Sequence, residues 1–185
     1  MINKINLENC KIVGKEILHE TIFLLEIHVP AIVRKAKPGN FVILMANKKG
    51  ERIPITIADV NKEKGTIVVV IQIVGKTSFI FSKLDVGDRI KAVVGPLGNP
   101  THIDKFGVIL IVAGGVGIPL AYPVAKALKD VGNYVISIIG ARTKELLIWE
   151  EKISSVSNEL FISTDDGSHG FKGFTTQLLE KIIKK

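Results

Sequence analysis

VILIVAGGVG, residues 108–117, is the stretch of this sequence that decides its fold. The aliphatic run 108–112 is typical of a parallel strand that is buried on both faces. The glycines that follow lead into a helical pattern, so they would offer backbone N–H groups and the positive end of a helix dipole to a phosphate. Gly115 and Gly117 match only the first two glycines of the dinucleotide fingerprint G-x-G-x-x-G. The stretch predicts phosphate binding by Gly114, Gly115, Val116 and Gly117; a turn that merely connects two elements is the alternative.

Apolar strands and amphipathic helices alternate after residue 100. The pattern predicts helices over 122–129 and 174–183, a helical stretch over 145–154, and strands over 134–139 and 160–163. Such alternation is typical of a parallel sheet with crossover helices. We therefore expect an α/β domain over residues 99–185.

The first half of the chain has a different period. Short β-prone runs, separated by turn residues, lie at 10–17, 21–29, 40–45, 53–58, 66–73 and 88–94, and a short helix is expected over 77–84. This spacing predicts an antiparallel β-barrel or sandwich over residues 1–98. The glycine- and proline-rich segment 95–100 would link this domain to the next.

Composition limits the class of protein. With 185 residues, 46% hydrophobic and 23% charged, the chain can bury a core. Residues 1–6 have no signal-like apolar run, so a cytoplasmic location is expected. The uncharged run 106–125 is crowded with glycine and proline, which favours a strand and a helix over a membrane span. The single cysteine, Cys10, excludes an internal disulfide and a four-cysteine metal or iron–sulfur site within this chain, and we predict no metal site.

Candidate ligand-binding residues in the first half lie in two places. Arg52, Pro54 and Thr56 share one face of a predicted strand because side chains alternate along a strand. A guanidinium suits a pyrophosphate, and a threonine can hydrogen-bond a flavin ring edge. Further along, Gly75-Lys76-Thr77-Ser78 opens the expected helix and could hold a second phosphate. An edge-strand proline beside a surface arginine, and a simple helix cap, are the alternatives.

Polar residues follow two of the predicted parallel strands. Arg142 follows the strand 134–139, where NAD-binding folds carry an acidic residue for the ribose, and an arginine there could meet the 2′-phosphate of NADP. Asp165 and Asp166 follow the strand 160–163, at the carboxyl edge where ligands bind in open α/β sheets. A surface cation and an ordinary Asp-Gly turn are the alternatives.

Together these residues make the sequence similar to the ferredoxin-NADP reductase superfamily. Within it, the sequence resembles the branch of the dihydroorotate dehydrogenase electron-transfer subunit and ferredoxin-NADP reductase alpha (sulfide dehydrogenase beta). The resemblance covers nearly the whole chain, and its most specific pieces lie at residues 52–58, 95–98, 114–117, 122–123, 139–143, 149–150 and 164–168. It implies an FAD-binding barrel followed by a nicotinamide-binding α/β domain.

The resemblance also assigns residues to the cofactors. It implies that FAD contacts one strand along Arg52, Ile53, Pro54, Ile55 and Thr56, with Thr56 near flavin N5. The next strand would flank the flavin with Val70, Ile71 and Gln72. The FAD pyrophosphate would bind after that strand, at Gly75, Lys76, Thr77 and Ser78. It implies NAD(H) or NADP(H) at the glycine turn, with Arg142, Asp165 and Asp166 beside it. The implied reaction is hydride transfer between NAD(P)H and FAD, carried by the cofactors, with electrons passed on to an iron–sulfur partner.

Three departures from the superfamily pattern change these expectations. The superfamily's flavin-binding arginine occupies the position that is Ile53 in this chain, and Arg52 lies one residue earlier. Because a one-residue shift turns a strand residue to the other face, Arg52 would miss the flavin phosphates unless a β-bulge redirects it. The proline of the glycine turn is Pro119 rather than a residue at the Leu120 position, so we expect a local difference in the helix entry. Relatives continue with another strand and a cysteine-rich [2Fe-2S] segment; we expect neither here, and an uncovered edge beside strand 108–112.

The expected partner is a larger oxidoreductase subunit or an iron–sulfur protein. Assembly of the chain into a homo-oligomer is a further possibility. We expect neither nucleic-acid binding nor membrane insertion. A non-catalytic flavoprotein fragment or docking subunit of a larger dehydrogenase is the alternative function. The net charge of +7 would also permit a nucleic-acid-binding barrel, but 6% aromatic residues offer few stacking platforms for bases.

Overall fold

The computed structural model describes residues 5–184, apart from the side chains of Asn6 and Asn9. The chain divides into two compact units, Met1–Thr101 and His102–Lys185. Each unit has a hydrophobic core of its own. None of the helices in the described part of the chain is both long and apolar enough to cross a bilayer.

The first unit is a closed antiparallel barrel of six strands. The strands are β1 Ile5–His19, β2 Ile22–His28, β3 Phe41–Met45, β4 Arg52–Asn61, β5 Thr66–Gln72 and β6 Arg89–Leu97, and the helices are α1 Pro30–Val33 and α2 Lys76–Ser82. The strand order is β1-β2-β5-β4-β3-β6, with β6 closing back onto β1. The predicted antiparallel domain is therefore confirmed, and closure makes it a barrel rather than a sandwich.

Alternate side chains of the strands fill the barrel. Ile12, Leu25, Leu44 and Ile67, from four different strands, are fully buried. Each such side chain contributes about 1.5–3 kcal/mol when it is removed from water. Because the side chains alternate, the residues between them point to the outside of the barrel. The short helix α1, which the sequence did not predict, begins at Pro30, whose fixed φ suits a first helical turn.

The second unit is a parallel sheet with helices on both faces, which confirms the predicted α/β architecture. Its strands are β7 Val108–Gly114, β8 Tyr134–Ala141, β9 Glu159–Thr164 and β10 Phe171–Lys172, and its helices are α3 Ile118–Asp130, α4 Glu150–Ser155 and α5 Thr175–Ile183. The strand order is β10-β9-β8-β7. Helices α3 and α4 share a core with Ile139, whereas α5 lies against the neighbouring Gly140 on the opposite face.

Strand β7 is not buried on both faces, which corrects the prediction from its aliphatic run. Val108, Leu110 and Val112 are 65%, 41% and 40% exposed, whereas Ile109 and Ile111 pack against the core. Within residues 5–184, β7 pairs with β8 and with no other strand, so it is the edge of the sheet. A short apolar run does not by itself distinguish a central strand from an edge strand.

The helical stretch predicted over 145–154 is broken in the structure. A 3-10 turn covers Lys144–Leu146, and α4 begins only at Glu150. Between them Trp149 has a left-handed φ of 59°. Its indole packs edge-to-face on Tyr122 of α3, with 5.6 Å between the ring centroids. A non-glycine residue in this conformation costs about 1–3 kcal/mol, and the aromatic contact helps to offset that cost.

Candidate functional site

The outer face of β4 carries the residues that the sequence predicts to bind flavin. Arg52 and Pro54 are exposed and Thr56 is half-buried, whereas Ile53 and Ile55 pack against the barrel core. The side chains at 53 and 55 therefore point away from the outer face and leave only backbone groups for a ligand. An arginine at position 53 would point into the core, so the one-residue shift keeps Arg52 on the same face as Thr56 without a bulge between them.

The first half of β4 pairs with only one neighbouring strand. Residues 52–56 pair with β3, but pairing with β5 covers only residues 57–61. Pro54 has no backbone N–H, and it is tolerated here because that half of β4 is locally an edge. The backbone of β4 on the β5 side is therefore the place where a planar ring edge could find hydrogen-bond partners.

Strand β5 continues this outer face. Val70 and Gln72 alternate with Ile71, which packs in the barrel core. Gln72 is exposed at the end of the strand, and Val70 is buried. Of the three residues predicted to flank the flavin, two therefore lie on the outer side of the barrel and Ile71 can contribute only its backbone.

The turn before α2 is held by its own side chains. The hydroxyl of Ser78 accepts the N–H groups of Val74 and Gly75 at 2.9 and 3.1 Å and donates to the carbonyl of Gly75 at 2.9 Å. Thr77 donates its hydroxyl to the carboxylate of Glu51 at 2.9 Å. Lys76 is exposed, and a Cβ added at Gly75 would meet nothing within 4 Å. Open space and the charge of Lys76 fit a diphosphate here, but the Glu51 carboxylate opposes it and both hydroxyls already have partners.

In the second unit, the glycine turn lies between β7 and α3. Gly114 is extended and pairs with Gly140, and Gly115 then adopts a φ of +52° that glycine tolerates best. Residues 115–117 form one 3-10 turn, and no side chain caps the first turn of α3. A Cβ at Gly115 or Gly117 would meet nothing within 4 Å. An uncapped helix start with open space over its glycines fits a phosphate group.

Pro119 is the second residue of α3, where the missing proline N–H costs no helical hydrogen bond. The helix begins at Ile118, four residues before the helix predicted over 122–129. A second proline, Pro123, lies inside the helix. The glycine turn is thus followed directly by helix, earlier than the predicted bounds place it.

The structure brings Arg142, Asp165 and Asp166 together at the carboxyl edge of the sheet. The N–H of Asp165 donates to the carbonyl of Ala141 at 3.1 Å, and the N–H of Asp166 donates to the carbonyl of Arg142 at 3.3 Å. The register aligns Gly114 of β7 with Gly140 of β8. The glycine turn and the polar residues therefore lie at the same edge, where ligands bind in open α/β sheets.

Two further residues at this edge, Ser168 and Glu145, are not among the site residues that the sequence predicts. The hydroxyl of Ser168 donates to Asp166 at 2.6 Å and accepts the N–H of Lys144 at 2.8 Å. These bonds from Ser168 lower the pKa of the Asp166 carboxyl. A hydrogen bond from Thr143 lowers the pKa of the nearby Glu145 carboxyl. The spacing of Asp166 and Ser168 around Gly167 could have indicated such a turn.

The described residues show no metal site built from protein side chains alone. Among residues 5–184, no group of three or more His, Cys, Asp or Glu side chains is placed to hold a metal ion. Cys10 is buried inside the barrel, and burial raises the pKa of its thiol to about 11. A thiol with so high a pKa is a poor nucleophile and metal ligand at neutral pH.

Comparison with known proteins gives two informative relatives. The chain is 45% identical over 175 residues to the dihydroorotate dehydrogenase B (NAD(+)) electron transfer subunit homolog of Thermotoga maritima, covering 95% of this chain and 62% of the relative. It is 32% identical over 180 residues to the dihydroorotate dehydrogenase B (NAD(+)) electron transfer subunit of Streptococcus mutans, covering 95% of this chain and 69% of the relative. No protein-family model matches the chain.

A solved structure shares the fold across both units. It is the structure of an NADH-dependent reduced ferredoxin-NADP oxidoreductase that bears on flavin-based electron bifurcation, with a TM-score of 0.90 and 42% identity. The match covers 97% of this chain and 64% of that chain. An antiparallel barrel followed by a parallel sheet with a glycine turn is thus the architecture of a ferredoxin-NADP reductase.

The relatives narrow this class further. The chain belongs to the family of dihydroorotate dehydrogenase B electron transfer subunits. The resemblance inferred from the sequence is therefore confirmed. The chain spans 62% of the length of the Thermotoga relative.

Proposed function

We propose that this chain is the flavin- and nicotinamide-binding part of an electron-transfer oxidoreductase. Its barrel binds FAD on the outer face of β4, and its α/β unit binds NADH at the glycine turn. FAD, when bound, supplies a centre that accepts a hydride and releases electrons singly. The chain contributes orientation, phosphate binding and exclusion of water, and no protein acid or base is required.

The observation that carries this proposal is the glycine turn at Gly115–Gly117. Its two open Cβ positions and the uncapped start of α3 leave a phosphate-sized approach to the backbone. The family membership supports a dinucleotide rather than another phosphate ligand there. For flavin, the support is the outward face formed by Arg52, Pro54 and Thr56.

The proposal is tested by flavin binding and reduction in the purified chain with two glycine variants. We expect added FAD to give a bound flavin whose visible absorbance bleaches anaerobically with NADH. Gly117→Val should retain the flavin but slow its reduction by NADH about 10–100-fold, because a Cβ would obstruct the dinucleotide. Gly75→Val is the reciprocal control, expected to weaken FAD binding.

Two outcomes would count against this function. A chain that remains colourless after incubation with FAD does not bind flavin as proposed. A yellow chain that neither NADH nor NADPH bleaches would instead favour the non-catalytic docking subunit of a larger dehydrogenase. Equal rates of flavin reduction in wild type and the Gly117 variant would show that the glycine turn is not part of the nicotinamide site.

We further propose a preference for NADH over NADPH. The carboxyls of Glu145 and Asp166, both with lowered pKa, remain ionised at the edge that also carries Arg142. With Asp165 and Lys144 at the same edge, a 2′-phosphate placed there would meet three carboxylates against two cations, so repulsion outweighs attraction. The names of two relatives, which specify NAD(+), agree with this choice. The same reduction experiment with NADPH should give the slower rate.

The electron acceptor is proposed to be an iron–sulfur centre on another part of the assembly. The 185 residues contain one cysteine, which is too few for a thiolate-bound cluster. The relatives named as electron transfer subunits support a larger oxidoreductase as the partner. A cytoplasmic location is part of the same proposal.

A further inference from the structure

Glu51 lies next to the proposed diphosphate site of the barrel and already binds one of its hydroxyl groups. Its Oε2 accepts the hydroxyl proton of Thr77 at 2.9 Å. Thr77 is 7% exposed, so its side of the contact is largely shielded, whereas Glu51 is exposed. Glu51 immediately precedes Arg52, the cation on the proposed flavin face.

Thr77 is the only hydroxyl of this turn that could give a proton to a ligand. The neighbouring Ser78 accepts two backbone N–H groups and donates its single proton to the carbonyl of Gly75. Its bonding capacity is therefore used within the turn. Thr77 in contrast donates to a carboxylate, which is an anion like the phosphate it would meet.

A hydroxyl has one proton, so Thr77 can donate to the carboxylate or to a phosphate oxygen but not to both. A carboxylate that stayed in place would also repel a diphosphate a few ångströms away. We propose that Glu51 competes with the flavin diphosphate for the hydroxyl of Thr77 and so lowers the affinity of the barrel for FAD. This inference rests on the proposed function, because it requires flavin at β4 and its diphosphate at Thr77.

The test compares FAD with riboflavin, which keeps the ring and ribityl chain but has no phosphate. Dissociation constants are measured by flavin fluorescence with the full chain, stripped of flavin, as wild type, Glu51→Gln and Glu63→Gln. Glu51→Gln should tighten FAD about fivefold or more, the effect of removing one charge about 4 Å from another in a water-like medium. Riboflavin affinity should stay unchanged. Glu63, an exposed glutamate in the turn between β4 and β5, is the matched charge control and should leave both affinities unchanged.

Thr77→Val separates the hydroxyl from the charge. With valine at this position the carboxylate loses its anchor, so adding Glu51→Gln should tighten FAD less than it does with Thr77 present. Thermal unfolding of each variant checks that α2 stays folded. A neutral glutamine accepts the threonine proton more weakly than a carboxylate does, so Glu51→Gln weakens the competition while it keeps a contact that lets the chain fold normally.

The outcomes separate this inference from the function on which it rests. If wild type binds FAD but Glu51→Gln leaves FAD affinity unchanged or weakens it, Glu51 is not a competitor and the inference is wrong. If riboflavin tightens equally, the effect does not act through the phosphates and the inference is also wrong. If no variant binds either flavin, the proposed function fails and the Glu51–Thr77 bond only ties β4 to α2.

Discussion

Asp166 shows how a single hydroxyl shapes the carboxyl edge of the second unit. Its carboxylate accepts both the N–H and the hydroxyl of Ser168, at 2.9 and 2.6 Å. Hydrogen bonds to the charged form lower a carboxyl pKa, and the Ser168 side chain is the largest cause here. The turn after β9 thus favours the charged form of Asp166.

We predict that Ser168→Ala raises the pKa of Asp166 part of the way back to its ordinary value of 3.8, because the backbone N–H of residue 168 remains. The folded pKa lies below the unfolded one, so the stabilising effect is present above about pH 4 and is lost as the pH falls through the folded value. A carboxyl NMR titration of both proteins measures the shift. An unchanged midpoint would show that the hydroxyl does not hold the charge.

At the level of single residues, the sequence predicts which face of a strand a side chain occupies better than it predicts which residue that side chain contacts. The alternation of Arg52, Pro54 and Thr56 follows from the strand period and is seen in the structure. The structure places the shifted Arg52 on the outer face of β4, because Ile53 is the residue whose side chain packs against the core, and contact between Arg52 and the flavin phosphates stays a prediction. The Glu51–Thr77 hydrogen bond joins residues 26 positions apart and depends on how the barrel closes, so no local sequence pattern predicts it.

Among the elements, β7 is the one whose environment departs most from its sequence. Its outward side chains are exposed, and Val108 is 65% exposed on the face shared with α5, whereas Val135 on the neighbouring β8 is fully buried. Both are valines in paired parallel strands. Val108 pairs with Tyr134, so Val108 and Val135 point to opposite faces of the sheet, and they compare an exposed valine with a buried one in adjacent strands.

We expect Val108→Ser to lower the free energy of unfolding by less than about 1 kcal/mol. Val135→Ser should lower it by about 3 kcal/mol, because it leaves a cavity and buries a hydroxyl in an apolar core. The only tryptophan, Trp149, lies in the second unit, so its fluorescence in denaturant reports on that unit. Equal losses in the two variants would show that β7 is covered in solution.

The pattern of element types could be predicted, but element neighbours could not. The change from period two to alternating strands and helices identifies both units correctly. The two-residue strand β10 is too short to leave a pattern, and the break at Trp149 arises from a tertiary contact with Tyr122. Burial of a strand depends on its neighbours in the sheet, which the run 108–112 does not contain.

At the scale of the whole molecule, closure of the barrel is the feature that local sequence could not decide. It requires β6 to return to β1, which pairs Ile5 with Gly95 and Lys11 with Arg89. Strand propensity does not predict pairing between strands that are distant in sequence, so six β-prone segments are equally consistent with a barrel and with a sandwich. The family resemblance implied a barrel, and the pairing shows it.

The net charge of +7 acts on the molecule as a whole. Charge of one sign speeds the approach of oppositely charged partners, and salt screens it because the Debye length falls from about 30 Å at 0.01 M to about 8 Å at 0.15 M. We predict that photoreduced, FAD-loaded chain reoxidises with anionic ferricyanide several-fold more slowly at the higher ionic strength, whereas neutral menadione reacts at nearly the same rate. Stopped-flow absorbance of the flavin measures both rates. If both oxidants showed the same salt dependence, the positive charge would not steer electron acceptors; a fall for ferricyanide alone would favour an acidic surface on the natural acceptor.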